Sequence, residues 1–165
     1  AEIGVTHICG SDKSPDAVYD SQQNMGWLSE HGTPIEDCKI RTADATELSR
    51  FMPKESVDRI ATEPYMGRPC TGRETFDELQ KNAHELQSLY KKTLQECAAI
   101  LQNNGILVMT FPCFAHSKKP IETWSKELIA KLPFSVLPLL PKEDTLLYNR
   151  PDQFVARRIV RLQKK

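Results

Sequence analysis

The tetrapeptide Thr62-Glu63-Pro64-Tyr65 closes the strand-like run Ser56 to Ala61 and leads into Met66-Gly67. A short strand ending in a Pro-Tyr corner suits one kind of chemistry. An exocyclic amine on a nucleobase is a poor nucleophile, because its lone pair is delocalised into the ring. Acceptors placed on its N–H groups, one a side-chain oxygen and one a turn carbonyl, localise that pair toward an electrophile. Tyr65 supplies an aromatic face that fixes the plane of the base, and Pro64 stiffens the bend that aims these groups. For a bare Pro-Tyr pair the plainer reading is an ordinary strand-to-loop corner.

Two carboxylates precede this turn, each just past a candidate strand: Asp12 and Asp44. In doubly wound sheets ligands sit outside the carboxyl ends of the strands. Asp12 there can accept from both hydroxyls of a ribose, and Asp44 from an adenine amine, with the backbone N–H of Ala45 alongside. Singly, each also reads as a cap, since Asp12 stands two residues before Ser14-Pro15. Together on successive strands they favour an adenosine-containing ligand.

Segments of strand type alternate with segments of helix type, which predicts an α/β domain with a largely parallel sheet. Gly4 to Cys9 is a first strand closed by Gly10. A helix follows, with Ser14 as N-cap, Pro15 in its first turn and Val18, Met25 and Leu28 on one face, ending near Gly32-Thr33-Pro34. Cys38 to Thr42 reads as the second strand, Thr46 to Met52 as a short helical turn and Val57 to Thr62 as the third strand. Leu79, Ala83, Leu86, Tyr90, Thr93, Cys97 and Ile100 recur at helical spacing, so a long amphipathic helix is expected from Glu74 to Asn103, stopped by Asn104-Gly105. Ile106 to Phe111 is a strongly apolar strand and Ile121 to Leu132 a further helix. Phe134 to Leu140, Thr145 to Tyr148 and Phe154 to Leu162 read as strands at the far edge of the sheet.

The 165 residues fit one domain with a real core, and 39% apolar with 27% charged residues is an ordinary globular composition. Lys plus Arg and Asp plus Glu are both 22, so a nucleic-acid partner needs a local patch or a second domain. The basic run Arg150, Arg157, Arg158, Arg161, Lys164 and Lys165 reads first as a solvated strand face and a frayed tail. Five scattered cysteines lack a Cys-x-x-Cys or a zinc-like His spacing, so no metal is expected. Cys9, Cys38 and Cys97 read as small core residues of a cytoplasmic protein, with no membrane association.

The order Gly10-Ser11-Asp12-Lys13-Ser14-Pro15, then Asp44-Ala45, then Thr62-Glu63-Pro64-Tyr65-Met66-Gly67 resembles class I S-adenosylmethionine-dependent methyltransferases, nearest to the tRNA guanosine-N2 methyltransferases whose catalytic domain accompanies a THUMP domain. Leu101 to Met109 and Tyr148 to Gln153 are similar to later segments of that family, so the resemblance spans nearly the whole chain. It implies a Rossmann-like sheet with helices on both faces, mostly parallel with an antiparallel edge strand. It implies S-adenosylmethionine as cofactor, held by Asp12, Lys13, Asp44 and Ala45, and Thr62, Glu63, Pro64 and Tyr65 as the catalytic turn. Arg68, Arg73 and His116 then become contacts to a tRNA or other structured RNA.

Two departures accompany the resemblance. The family's turn begins with Asp or Asn followed by Pro or Leu, where Thr62 and Glu63 stand here; Glu63 substitutes only if the turn shifts by a residue. The family also carries an earlier strand and a Gly-rich loop before the strand ending at Asp12. The expectation is therefore that residues 1–165 are the C-terminal part of a single methyltransferase domain. A separate chain or domain would supply the first strand and an RNA-binding module. An adenine-N6 nucleic-acid methyltransferase, and a non-catalytic RNA-binding or scaffold subunit of the same fold, remain as alternatives.

Overall fold

The computed structural model describes residues 7–32 and 37–165. They form two compact units, Ala1–Leu48 and Ser49–Lys165. The first part of the Gly4 to Cys9 strand, and the Thr33-Pro34 helix stop, lie outside the described residues.

In the first unit, β1 (His7–Asp12) and β2 (Asp37–Thr42) pair in parallel, from His7 opposite Asp37 to Asp12 opposite Thr42. The strand runs through Gly10, where the expected break was placed, because Gly10, Ser11 and Asp12 continue the ladder opposite Ile40, Arg41 and Thr42. Between the strands lies α1 (Pro15–Glu30). Ser14 caps it, its Oγ accepting from the Ala17 N–H at 3.3 Å, with Pro15 and Asp16 in the first turn. Val18 is its one buried side chain, while Leu28 is exposed. Two strands offer too little apolar surface to cover a 16-residue helix. Cys9 is exposed and Cys38 half-buried, so neither is the core residue expected; Cys97, in the second unit, is.

A single 3-10 turn, Leu48–Arg50, spans the boundary, and the second unit continues as β3 (Val57–Thr62), α2 (Phe76–Ile100), β4 (Leu101–Phe114), β5 (Ile121–Glu122), α3 (Lys126–Ala130), β6 (Phe134–Leu137), β7 (Thr145–Tyr148) and β8 (Val155–Lys164). β3 pairs in parallel with β4, and β8 pairs antiparallel with β4 on one side and with β6 and β7 on the other. Thus β3, β4, β6 and β7 share a direction, while β8 and the two-residue β5 run against it. α2 returns the chain between two parallel strands. Its N-terminus, the turn after Thr62 and the loop after Phe114 therefore lie at one edge of this sheet.

The core sits between α2 and the sheet. Tyr90, Leu94, Leu101, Leu107, Met109, Phe111, Phe114, Val160 and Leu162 are all fully buried. Burial along β4 alternates from Gly105 to Phe111, as a strand with one sealed face requires. Thr75 and Glu78 form a reciprocal capping box at the start of α2.

Two expected boundaries are corrected here. α2 stops at Ile100, not Asn103, because the Ser56 N–H binds the Ile100 carbonyl and Leu101 is already extended opposite Val57. Asn104 does adopt φ 64°, but it bends β4 rather than ending the helix. At Gly105 a Cβ would meet the Gln102 carbonyl at 2.8 Å, so only glycine fits that bend. Ile121 and Glu122 pair with Phe114 and Cys113 as β5, and the helix expected from Ile121 starts only after the Ser125 cap. No described helix is long and apolar enough to cross a membrane.

Candidate functional site

In the first unit, Asp12 and Asp44 come from adjacent parallel strands, at the carboxyl edge that the sequence assigned to them. Asp12 is the last residue of β1; its Oδ1 accepts from the Ser14 N–H at 2.8 Å. This tight turn positions the carboxylate while Ser14 itself caps the helix, so capping does not use up Asp12. Asp44 accepts from the Thr46 N–H at 2.9 Å, the Thr46 hydroxyl at 2.7 Å and the Lys13 ammonium at 3.0 Å. These bonds, the Thr46 backbone N–H foremost, hold its carboxyl down at about 2. Lys13 is thereby brought onto Asp44, and Ala45 is exposed beside it. A carboxylate has about four lone-pair sites, so Asp44 keeps one for a further donor, and Asp12 keeps more. This acceptor set suits the ribose hydroxyls and amine of an adenosine.

The depressed pKa of Asp44 fixes a pH dependence. Ionised Asp44 adds stability above the unfolded value of about 3.9, and that contribution is lost as pH falls toward about 2. In urea unfolding, wild type is expected to exceed Asp44→Asn in stability at pH 5, with the gap closing through this window. A gap that stays constant to acid pH would contradict the assignment.

In the second unit, the turn after β3 is held from three sides. Thr62, paired with Met109, is the half-buried last residue of the strand. The Tyr65 carbonyl accepts from the Tyr90 hydroxyl at 2.7 Å. Tyr90 is fully buried and edge-on to Phe111, and burial pushes its hydroxyl pKa up, so it remains a proton donor. Gly67, at φ 92°, brings the chain against Asn82 and Leu86, where a Cβ would lie 3.0 Å from both side chains. The Tyr65 ring itself is 61% exposed. An aromatic ring turned outward on a clamped backbone is a stacking platform.

Glu63 is engaged elsewhere. Its carboxylate accepts from Arg157 Nε at 2.9 Å, and Arg157 also donates to Gln153 Oε1 at 3.1 Å. The pair is partly exposed, so its worth lies near about 0.5–1 kcal/mol. A double-mutant cycle of Glu63→Gln and Arg157→Gln is expected to return a coupling of about that size; additive effects would show that the contact carries no energy. Arg157 was legible only as part of a basic run. Within β8 that run is not a solvated face, while Arg150 and Lys165 are exposed. Arg158 forks onto Glu122, Arg161 donates to the Pro138 carbonyl, and Lys164 reaches Glu55 and the Leu101 carbonyl. These cations staple β8 to its neighbours.

The loop that follows the turn is ordered by Glu74, whose carboxylate accepts from the Thr71 and Gly72 N–H groups and the Thr71 hydroxyl. These donors, the Thr71 backbone N–H first, hold it at about 2. At Gly72 (φ 82°) a Cβ would collide with the Phe154 ring, so this loop is seated against the segment before β8. Arg68 lines an open cavity of about 430 Å³ with Cys70, Glu78 and Glu85. Those carboxylates make it a poor place for a phosphate. Arg73 is exposed, and His116 is half-buried, edge-on to Phe76 with ring centroids 5.3 Å apart.

The sequence matches no protein-family model and no curated protein. Its fold, by contrast, has solved counterparts. A S-adenosylmethionine-dependent methyltransferase from Methanosarcina mazei superposes with a TM-score of 0.63 over 96% of this chain and 82% of its own, at 8% identity. The fold is that of a Rossmann-like methyltransferase. NSun6 from Pyrococcus horikoshii, solved with SFG, gives 0.59 at 16% identity, covering 96% of this chain and 41% of its own. TrmN from Thermus thermophilus gives 0.53 at 17% identity, covering 97% of this chain and 44% of its own. The chain thus spans less than half the length of these last two proteins. In doubly wound sheets ligands sit outside the carboxyl ends of the strands; Asp12 and Asp44 stand at such ends in the first unit, and the turn at 62–65 stands at one in the second.

Proposed function

We propose that this protein is an S-adenosylmethionine-dependent RNA methyltransferase that modifies the exocyclic N2 amine of a guanosine in tRNA. The observation that carries this reading is the turn at 62–65, with its backbone clamped by the buried Tyr90 and its Tyr65 ring left open. The methyltransferase fold supports it, and so do the acceptors at Asp12 and Asp44, which fit the cofactor's ribose and adenine.

When bound, the cofactor supplies a methyl group on a positively charged sulfur. The protein's part is to orient the amine and raise its nucleophilicity. Tyr65 stacks on the guanine and sets its plane. The Thr62 hydroxyl and a turn carbonyl accept from the amine's N–H groups; the Tyr65 carbonyl is already taken by Tyr90, so Glu63 or Pro64 supplies it. So oriented, the amine nitrogen would take the methyl group that the bound cofactor would supply, leaving the neutral thioether, and would release a proton to water. Thr62 brings no charge, so this acceptor assists less than a carboxylate would.

Single substitutions test these roles. Thr62→Ala is expected to lower methyl transfer by about tenfold or more. Glu63→Gln, which keeps a neutral contact to Arg157, is expected to lower it by less than about fivefold. Activity untouched by both changes would remove the turn from the reaction.

One observation favours a second reading, a non-catalytic RNA-binding or scaffold subunit: the turn's only carboxylate is neutralised by Arg157. Calorimetry with S-adenosylmethionine separates the two, since absent binding supports the scaffold and binding supports the enzyme.

A further inference from the structure

At the same edge of the second unit as the turn at 62–65, three side chains from one loop gather around the ring of a fourth. Phe76 is the first residue of α2, half-buried. His116, Lys118 and Lys119 come from the loop after β4. The Lys118 ammonium lies 5.4 Å from the Phe76 ring centroid and that of Lys119 5.9 Å, with His116 edge-on to the same ring.

The His116 tautomer is set by its surroundings. The Lys118 backbone N–H donates to His116 Nδ1 at 3.2 Å, so Nδ1 carries the lone pair and Nε2 the proton. The ring is therefore a donor at its outer nitrogen. Neither lysine forms an ion pair with a described residue. This sets them apart from the cations of β8, which are tied to internal partners. Phe76 gathers two lysine side chains over its ring.

Two converging positive charges and an N–H donor, with no acid among them, form a recognition surface for an anion. We infer that Phe76, His116, Lys118 and Lys119 form a contact for the phosphodiester backbone of the substrate RNA, flanking the nucleotide presented to Tyr65. This rests on the RNA reading above and adds what that reading lacks: a basic patch on a chain whose net charge is zero and whose β8 cations Arg157, Arg158, Arg161 and Lys164 are internally spent. Arg73, in the loop that enters α2, extends the same edge. The cavity at Arg68 does not, because glutamates line it.

The test is fluorescence anisotropy with an end-labelled, unmodified tRNA transcript, titrated without methyl donor across about 50–200 mM salt. The Lys118→Ala/Lys119→Ala double variant is expected to bind about tenfold more weakly at the low end. Its salt dependence should be shallower by about 1.5 in log–log slope, as for two lost phosphate contacts. Phe76→Leu, which keeps an apolar group but removes the π face, is expected to weaken binding about threefold. Lys91→Ala/Lys92→Ala, which removes two charges elsewhere on α2, is expected to change little.

Equal losses in the two double variants would overturn the patch, as would an unchanged slope in the first. A DNA duplex bound as tightly as the tRNA would overturn the commitment to RNA. Because no methyl donor is present, a catalytically silent protein still reports on the patch. Unaltered RNA affinity in the lysine variant, beside intact methyl transfer, would sink the patch alone.

Discussion

Tyr65→Ala is expected to lower kcat/KM for tRNA by about ten- to a hundredfold, the worth of about 1–3 kcal/mol for one base stacked on an aromatic side chain. The loss should fall on substrate engagement, because the Tyr65 ring is exposed and its removal leaves the core intact. Tyr65→Phe, which keeps the face and drops the hydroxyl, is expected to retain most activity. The bond from Tyr90 runs to the Tyr65 backbone carbonyl, so both variants keep the clamp. Equal losses in the two variants would show that the hydroxyl, and not the ring, does the work, and stacking would be refuted.

Phe111→Ala is the substitution with the largest expected cost to stability, about 3–5 kcal/mol. Phe111 is fully buried on β4, and its ring meets Tyr90 edge-on with centroids 5.4 Å apart. Removing it opens a cavity between α2 and the sheet and frees Tyr90, whose hydroxyl holds the Tyr65 carbonyl. Urea unfolding should report the loss, and proteolysis in the loop after Tyr65 should accelerate. A cost below about 1 kcal/mol would mean that the core closes around the gap and that Tyr90 does not depend on this contact.

What the sequence disclosed, and what it hid, follows from the range of the forces involved. Val57 to Thr62 and Thr145 to Tyr148 are read from local pattern alone, and the structure bears both out residue for residue. The stripe from Leu79 to Ile100 is the buried face of α2, because a 3.6-residue period needs no knowledge of the partner. The end of that helix was misplaced because Asn104-Gly105 is a strong local stop. A long-range contact, Ser56 to Ile100, ends the helix earlier. Ile121 failed for a similar reason, as its pairing with Phe114 outweighs the helical pattern.

The site shows the same division. The positions of Asp12, Asp44 and the Pro-Tyr corner at strand ends were legible, since they depend on which residues follow a strand. The partners were not. Tyr90 looked like one more apolar position in a helical stripe, and nothing local says that its hydroxyl reaches a residue 25 positions earlier. Arg157 lies 94 residues from Glu63, and no spacing rule links them. Phe76 and His116 meet only because a parallel crossover brings a helix start beside a strand end.

The central claim is that the turn at 62–65 presents a guanine amine to a methyl donor. Its most direct test is to incubate the protein with isotopically methyl-labelled S-adenosylmethionine and unmodified tRNA, digest the RNA to nucleosides and identify the labelled one. The account predicts label in N2-methylguanosine, lost in Tyr65→Ala. Label in N6-methyladenosine, or none at all from a protein that binds the donor, would contradict it.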